Sequence, residues 1–237
     1  MQMCYNIYVE RERTAIPYGR KEMIKMNYLM IDTETTNEID CPICYDIGFS
    51  VINDKGKTLE KHSYVVADIF LDKELMNVAF FKDKIPSYWE DIQSGKRLLR
   101  QWNTIRAIVK DIMVQYGIDT VIAHNMRFDY RSTNTTQRYL SSSKWRYFFP
   151  YGTKFVCTLK MAREVYAKDE DYIAFCIDHE FTTKNGKPKL TAEILYRYIA
   201  NDIEFVESHT GLEDVEIETE IFFACMRANP SVNGLLW

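Results

Sequence analysis

The sequence predicts a mixed α/β domain, a central β-sheet of about five strands flanked by helices, and three observations carry that expectation. Apolar runs bounded by turn residues come first, as a group of three. Strands then alternate with stretches of helical periodicity, and the last third of the chain reads almost entirely as helices. With 237 residues, 46% of them hydrophobic, the chain can bury one sizeable core.

Residues 1–26 mix Arg11, Arg13, Arg20, Lys21 and Lys25 with Glu and Met without a period, and read as a slightly basic N-terminal extension to a domain at 27–237. Residues 28–31, 45–52 and 58–66 read as a three-strand meander, with Asn53-Asp54-Lys55-Gly56 as the turn between the last two. Helical character follows at 68–81, at 86–93, where Pro86 suits a first turn, and at 95–116, where Leu98, Trp102, Ile105, Val109, Ile112 and Met113 recur at helical spacing. Gly117 stops that helix. Residues 119–125 read as a fourth strand and 155–157 as a fifth. Helices at 158–166, 171–180, 191–198 and 212–227 follow, with a longer helical segment around 141–200. The stretch 130–151 fits no element: Ser132-Thr133-Asn134-Thr135-Thr136 is poor helix material, and Lys144 to Phe149 is strongly aromatic.

A net charge of −4 gives no overall positive field, so a nucleic-acid partner would have to be gripped locally or through bound cations. Six scattered cysteines without framework spacing, and no signal-like segment, suit a reducing cytoplasm. Cys41-Pro42-Ile43-Cys44 lacks a second pair at zinc spacing and reads as two ordinary thiols in a loop. No apolar run approaches the roughly 18 residues that span a bilayer, so no membrane partner is expected.

Asp32 and Glu34 follow the first apolar run, and two residues apart on a strand places both carboxylates on one side of the sheet. Like charges held that close need a cation. Two divalent metals about 3.5–4 Å apart suit phosphodiester hydrolysis, one activating water and the other steadying the leaving oxygen; a solvated strand end is the bland alternative. Asp129 stands just past the fourth strand, where open sheets place their sites, although Asp is also an ordinary helix cap. Along 212–228 the stripe Ile217, Ile221, Ala224, Cys225, Ala228 makes one apolar face, and Asp214 falls within its arc while Glu213, Glu216 and Glu220 do not. A carboxylate aimed at a core must be compensated, and a bound metal does that. His209, just before Gly211, can reach the same place, and a histidine beside metal-bound water can act as general base near neutral pH.

Asp32-Thr33-Glu34-Thr35, then Asn125-Met126-Arg127-Phe128-Asp129, then His209-Thr210-Gly211-Leu212-Glu213-Asp214 resembles, in order, the three motifs of the DEDDh exonucleases, the family of the proofreading subunit of bacterial DNA polymerase III and of ribonuclease T. The resemblance implies a ribonuclease H-like fold, two Mg²⁺ or Mn²⁺ ions, and release of nucleoside 5′-monophosphates from 3′ ends. It makes Asp32, Glu34, Asp129 and Asp214 metal ligands and His209 the general base. The partner expected is a single-stranded or frayed 3′ end, DNA preferred, with RNA as the alternative and a non-catalytic nucleic-acid-binding or polymerase-associated module as a further one. A polymerase partner is left open. Cys157 stands where the family often has Asp, and Gly211 and Val215 where it often has Ala.

Thr35, Thr36 and Asn37 after the first motif, with Asn125 and Phe128 in the second, are candidates for the substrate wall. Trp145 and Arg146 join them from a stretch, 127–146, where five Arg or Lys face Asp129 alone and aromatics are interleaved, as in single-strand binders; core aromatics on a solvated edge explain the same residues. Residues 202–220 hold eight acids and no Lys or Arg, most of them read as a solvated helix face with Asp214 the exception. His124, ending a buried strand, reads as a hydrogen-bonded structural histidine.

Overall fold

β1 (Asn27–Thr36) is the spine of the sheet, since Leu29, Met30 and Ile31 are completely buried by layers on both faces. The computed structural model describes residues 26–236, so the basic extension expected at 1–26 lies, but for Met26, outside the described residues. β2 (Ile43–Asn53) pairs antiparallel with β1, and β3 (Thr58–Val66) antiparallel with β2. Their turn is closed by Asn53, whose Oδ1 accepts from the backbone N–H of Lys55 and Lys57, and by Gly56 at φ 80°.

Short helices α1 (Ala67–Phe70) and α2 (Lys73–Asn77) come next, then α3 (Ile85–Ser94), β4 (Leu98–Arg100), α4 (Trp102–Gln115), β5 (Thr120–Ala123), α5 (Met126–Leu140), β6 (Lys154–Cys157), α6 (Thr158–Val165), α7 (Glu170–Asp178), α8 (Ala192–Ala200) and α9 (Gly211–Ala228). The six strands lie in the order β4-β3-β2-β1-β5-β6, with β5 parallel to β1, β6 parallel to β5 and β4 parallel to β3. This is the ribonuclease H-like mixed sheet that was expected, widened by one edge strand.

Alternation along the strands sorts the core into two layers. Leu29, Ile31 and Phe49 pack with Trp102, Ile105 and Val109 of α4 on one face. Met30, Ile52 and Ile122 pack with Ile217, Ile221 and Cys225 of α9 on the other.

Three expectations are corrected. The helix expected at 95–116 begins only at Trp102, because Leu98 to Arg100 add a strand to the free edge of β3; Leu98 fits the helical period yet stays partly exposed. The helix expected at 68–81 is broken into two short pieces, the second capped by Asp72, whose side chain accepts from Glu74 and Leu75 N–H. The stretch that fitted no element is mostly α5, while 141–153 is irregular and helices resume at Thr158.

Buried polar residues make α5 possible. Thr133 and Thr136 hydroxyls donate to the carbonyls of Asp129 and Ser132 four residues back. Thr136 Oγ1 also accepts from Cys44 N–H, Asn134 Oδ1 from Phe148 N–H, and Gln137 Oε1 from Trp102 Nε1. A segment unfavourable by propensity is thus stabilised by tertiary partners. Cys44 is buried on β2 and Cys41 is exposed, both free thiols.

Candidate active site

The site forms where β1 ends beside β2. Asp32 faces Gly48 and Glu34 faces Asp46 across the β1–β2 pair, and the register slips between Glu34 and Thr35, so the strand bends away just after the two acids. Thr33, on the opposite face, reaches α5: its Oγ1 donates to Asp129 Oδ1 at 2.9 Å and bonds Ser132 Oγ at 2.8 Å. Asn125 takes a left-handed conformation, φ 60°, that turns the chain from β5 into α5 and sets Asp129 in its first turn.

α9 arrives from the other face. Its first residue, Gly211, lies backbone to backbone on Gly48, where a Cβ on either glycine would come within 2.1–2.5 Å of the other's main chain. Asp46 Oδ2 accepts from Gly211 N–H at 3.0 Å, from Tyr88 Oη at 2.7 Å and from Arg97 Nη1 at 3.4 Å. Pinned this way, α9 presents Asp214, 4% exposed, one turn in; it accepts from Thr210 N–H at 2.9 Å and Ser208 Oγ at 3.2 Å.

Glu34, His209 and Asp214 each offer a ligand atom, all within 4.8 Å of one another. Burial pushes Asp32 well above the usual carboxylate range, and Glu218, Asp129, Glu34 and Asp214 add to the rise, so these five acids share one electrostatic neighbourhood. Burial does the same to Glu34, with Asp214 next. Asp129 and Asp214 are each pushed up to about 7 by burial, against hydrogen bonds that favour their charged forms. Such a donor set, hard oxygen atoms that repel one another when ionised, fits divalent cations.

His209 sits at φ 48°, its ring stacked on Phe81 with centroids 4.6 Å apart. Its Nδ1 lies 3.8 Å from Glu207 Oε2. Burial and the Lys84 charge hold it below the ordinary histidine value, hence neutral near pH 7. Lys84 Nζ donates to the Ser208 carbonyl and lies 5.0 Å from the Phe81 ring centroid.

Sequence reasoning missed Glu218, Glu207, Lys84 and Phe81. Asp202, Glu204, Glu216 and Glu220 are exposed, as expected of most acids in 202–220, but Asp214 is not the one exception: Glu218 is 3% exposed, its Oε2 accepting from His124 N–H, and Glu207 is half-buried and pushed up to about 7. Glu218 follows Asp214 by four residues on the same helix face, and that spacing was the available signal. Ala228, placed in the apolar stripe, is exposed. His124 is structural, as expected: Nδ1 bonds Thr158 Oγ1 and Nε2 bonds the Leu190 carbonyl.

Among the candidates for the substrate wall, Thr36 is buried and donates to the Leu75 carbonyl, while Thr35 is half-buried. Asn37 and Asn125 are exposed, and Phe128 is half-buried close to Asp129 in sequence. Trp145 and Arg146 line a separate cavity that includes none of the acids.

By sequence the chain matches no protein-family model and no curated protein. By structure it resembles exonuclease I from Methylocaldum szegediense, at a TM-score of 0.58 and 15% identity over 87% of this chain and 42% of that one. E. coli exonuclease I in complex with a dT13 oligonucleotide gives 0.58 and 13% over 86% and 42%, and its complex with a dA16 oligonucleotide 0.54 and 14% over 87% and 42%. The chain thus spans about 42% of the length of these neighbours, and at such identity what they share with it is the ribonuclease H-like fold.

Proposed function

We propose that the chain is a metal-dependent 3′→5′ exonuclease acting on single-stranded or frayed DNA ends and releasing nucleoside 5′-monophosphates. The observation that carries the reading is the convergence, from β1, α5 and α9, of Asp32, Glu34, Asp129 and Asp214 with His209, the residues of the three motifs. A non-catalytic module has no reason to hold uncompensated buried carboxylates together. The neighbours solved with single-stranded oligonucleotides support the DNA reading through shared fold.

Asp32, Glu34, Asp129 and Asp214 would hold two Mg²⁺ or Mn²⁺ ions, which supply charge neutralisation at the scissile phosphate and a more acidic water. Neutral His209 takes the proton of the attacking water, with Phe81 holding its ring in plane and Glu207 favouring the imidazolium that results. Thr33 and Ser132 keep Asp129 aimed at the strand end.

One geometric fact favours a second role for His209: its nitrogen lies within ligand range of the same point as Glu34 and Asp214. Equal loss of Mn²⁺ affinity in His209→Ala and Asp214→Ala would make it a ligand.

The activity is tested with a 5′-labelled single strand and Mg²⁺ or Mn²⁺. The expected result is a ladder shortening by single nucleotides, abolished by chelator and by a blocked 3′ terminus, and slower on blunt duplex. Cutting of a circular single strand would refute it. An RNA strand of the same sequence, degraded faster than DNA, would move the assignment to an exoribonuclease.

A further inference from the structure

Away from the acids, 144–153 and α4 border an open cavity of about 810 Å³. Lys110, Lys144 and Arg146 line it together with Trp145, Tyr147 and Tyr151, and no Asp or Glu is among its described lining residues. None of the three cations makes an ion pair among the described residues, in a chain whose net charge is −4. Unneutralised like charges held together on an acidic protein are what a polyanion would relieve.

The aromatic side chains are displayed on a fixed backbone. Arg106 on α4 donates to the carbonyls of Tyr147 and Phe148 at 3.0 and 3.1 Å, and Gln137 on α5 to that of Trp145 at 3.2 Å. Phe148 N–H is held by Asn134, and Phe148 and Phe149 are buried beneath. Yet Trp145 and Tyr147 are 65% and 60% exposed, and Tyr151 fully so. Lys144 Nζ lies 5.6 Å from the Trp145 ring centroid. Apolar exposure of this size on a tethered segment is not explained by packing, and rigid ring faces bordered by cations are the chemistry that stacks bases and neutralises phosphates.

We propose that this cavity is a second nucleic-acid site, which holds a single strand by base stacking on Trp145, Tyr147 and Tyr151 and by phosphate contacts to Lys110, Lys144 and Arg146. A duplex hides the base faces that the rings would take, so single strands are preferred. The site does not depend on the acids or on turnover.

The test measures binding of fluorescein-labelled (dT)12 and (rU)12 by anisotropy, with chelator present so that the carboxylate cluster repels the strand. The triple variant Lys110→Glu, Lys144→Glu, Arg146→Glu should weaken binding at least tenfold and flatten the slope of log affinity against log salt by about two, as the loss of three phosphate contacts does on a single strand. Trp145→Ala should weaken it roughly tenfold. A control triple of the same charge change, Lys55→Glu, Lys73→Glu, Lys168→Glu, should cost much less. An oligonucleotide carrying 5-iodouracil should crosslink to Trp145, Tyr147 or Tyr151 in the unaltered protein, which needs no variant to fold. Equal loss in the control triple, or crosslinks confined elsewhere, overturns the proposal. So does a dimer broken by Trp145→Ala with oligonucleotide affinity unchanged, since the face would then belong to a second copy. A protein that binds here without shortening a strand would sink the proposed exonuclease and leave this site standing; one that shortens a strand without crosslinking here does the reverse.

Discussion

Gly48 on β2 and Gly211 at the start of α9 meet main chain to main chain, and a Cβ on Gly48 would stand 2.1 Å from the Gly211 carbonyl carbon. Gly48 is also the residue opposite Asp32 in the sheet. The contact therefore fixes how closely α9, and with it Asp214, approaches the strand that carries Asp32 and Glu34. Gly211→Ala would clash with Gly48 N at 2.5 Å. We expect it to destabilise the protein by roughly 1–3 kcal/mol, as overpacking does, and to weaken Mn²⁺ binding with it. Thermal unfolding and calorimetric titration check both; wild-type values for the pair would show that α9 can retreat without cost.

Arg97 anchors the same approach. Its guanidinium, 2% exposed, reaches Asp46, Ser63, Asp91 and Glu213, and Asp46 in turn holds Gly211 N–H. Although burial raises the Glu213 carboxyl, hydrogen bonds from Lys96 and Arg97 hold it at about 2. Arg97→Met leaves Asp46 buried without its cation, and removal of one partner from a buried pair costs roughly 3–5 kcal/mol. Urea unfolding should show a loss near the lower end of that range, because Tyr88 still donates to Asp46.

The local patterns that made the fold legible were apolar runs bounded by turn residues and, in the helices, a helical period. Leu29 to Ile31 in the apolar run of β1 and all of β2 are buried, as is the stripe of α9 from Ile217 to Cys225, and Asp214 was found because it interrupts an apolar arc. Leu98 misled because one apolar residue satisfies a helical period and an edge strand equally. α5 was illegible because the partners that stabilise its Ser, Thr and Asn residues, Thr33, Cys44 and Phe148, are tertiary. The motifs marked Asp32, Glu34, Asp129 and His209, but not Glu218, whose signal was its spacing from Asp214, nor Phe81 and Lys84, which come to the cluster only through folding.

Phe81 and His209 give a positioning prediction. His209→Ala should slow hydrolysis by roughly 10²–10⁴-fold with metal affinity largely kept, as loss of a general base does. Phe81→Ala removes the parallel ring while leaving the imidazole, so kcat should fall on the order of tenfold to a hundredfold through misorientation. Phe81→Tyr should restore most of it. If Phe81→Ala changes only KM, the ring contacts the substrate instead.

The carboxylates make stability depend on pH with a sign that metal reverses. Asp129 and Asp214 are raised from an ordinary 3.8 to about 7 in the folded chain, so the folded state binds protons that the unfolded state has lost between those values. Their contribution is complete below about pH 4 and disappears as pH climbs through 7. The chelated protein should accordingly melt higher at pH 5.5 than at pH 7.5. Bound Mg²⁺ or Mn²⁺ takes the same groups deprotonated, so its affinity rises over this interval and its stabilising effect is larger at pH 7.5 than at pH 5.5. Asp214→Asn removes one of the two titrations and part of the donor set, and should flatten both trends together. Scanning calorimetry of the wild type and Asp214→Asn, with chelator and with saturating Mn²⁺, checks the four combinations. A chelated wild type that melts higher at pH 7.5 would mean that cations of the chain, Lys84 first among them, already neutralise the cluster, and the requirement for a bound metal would fall.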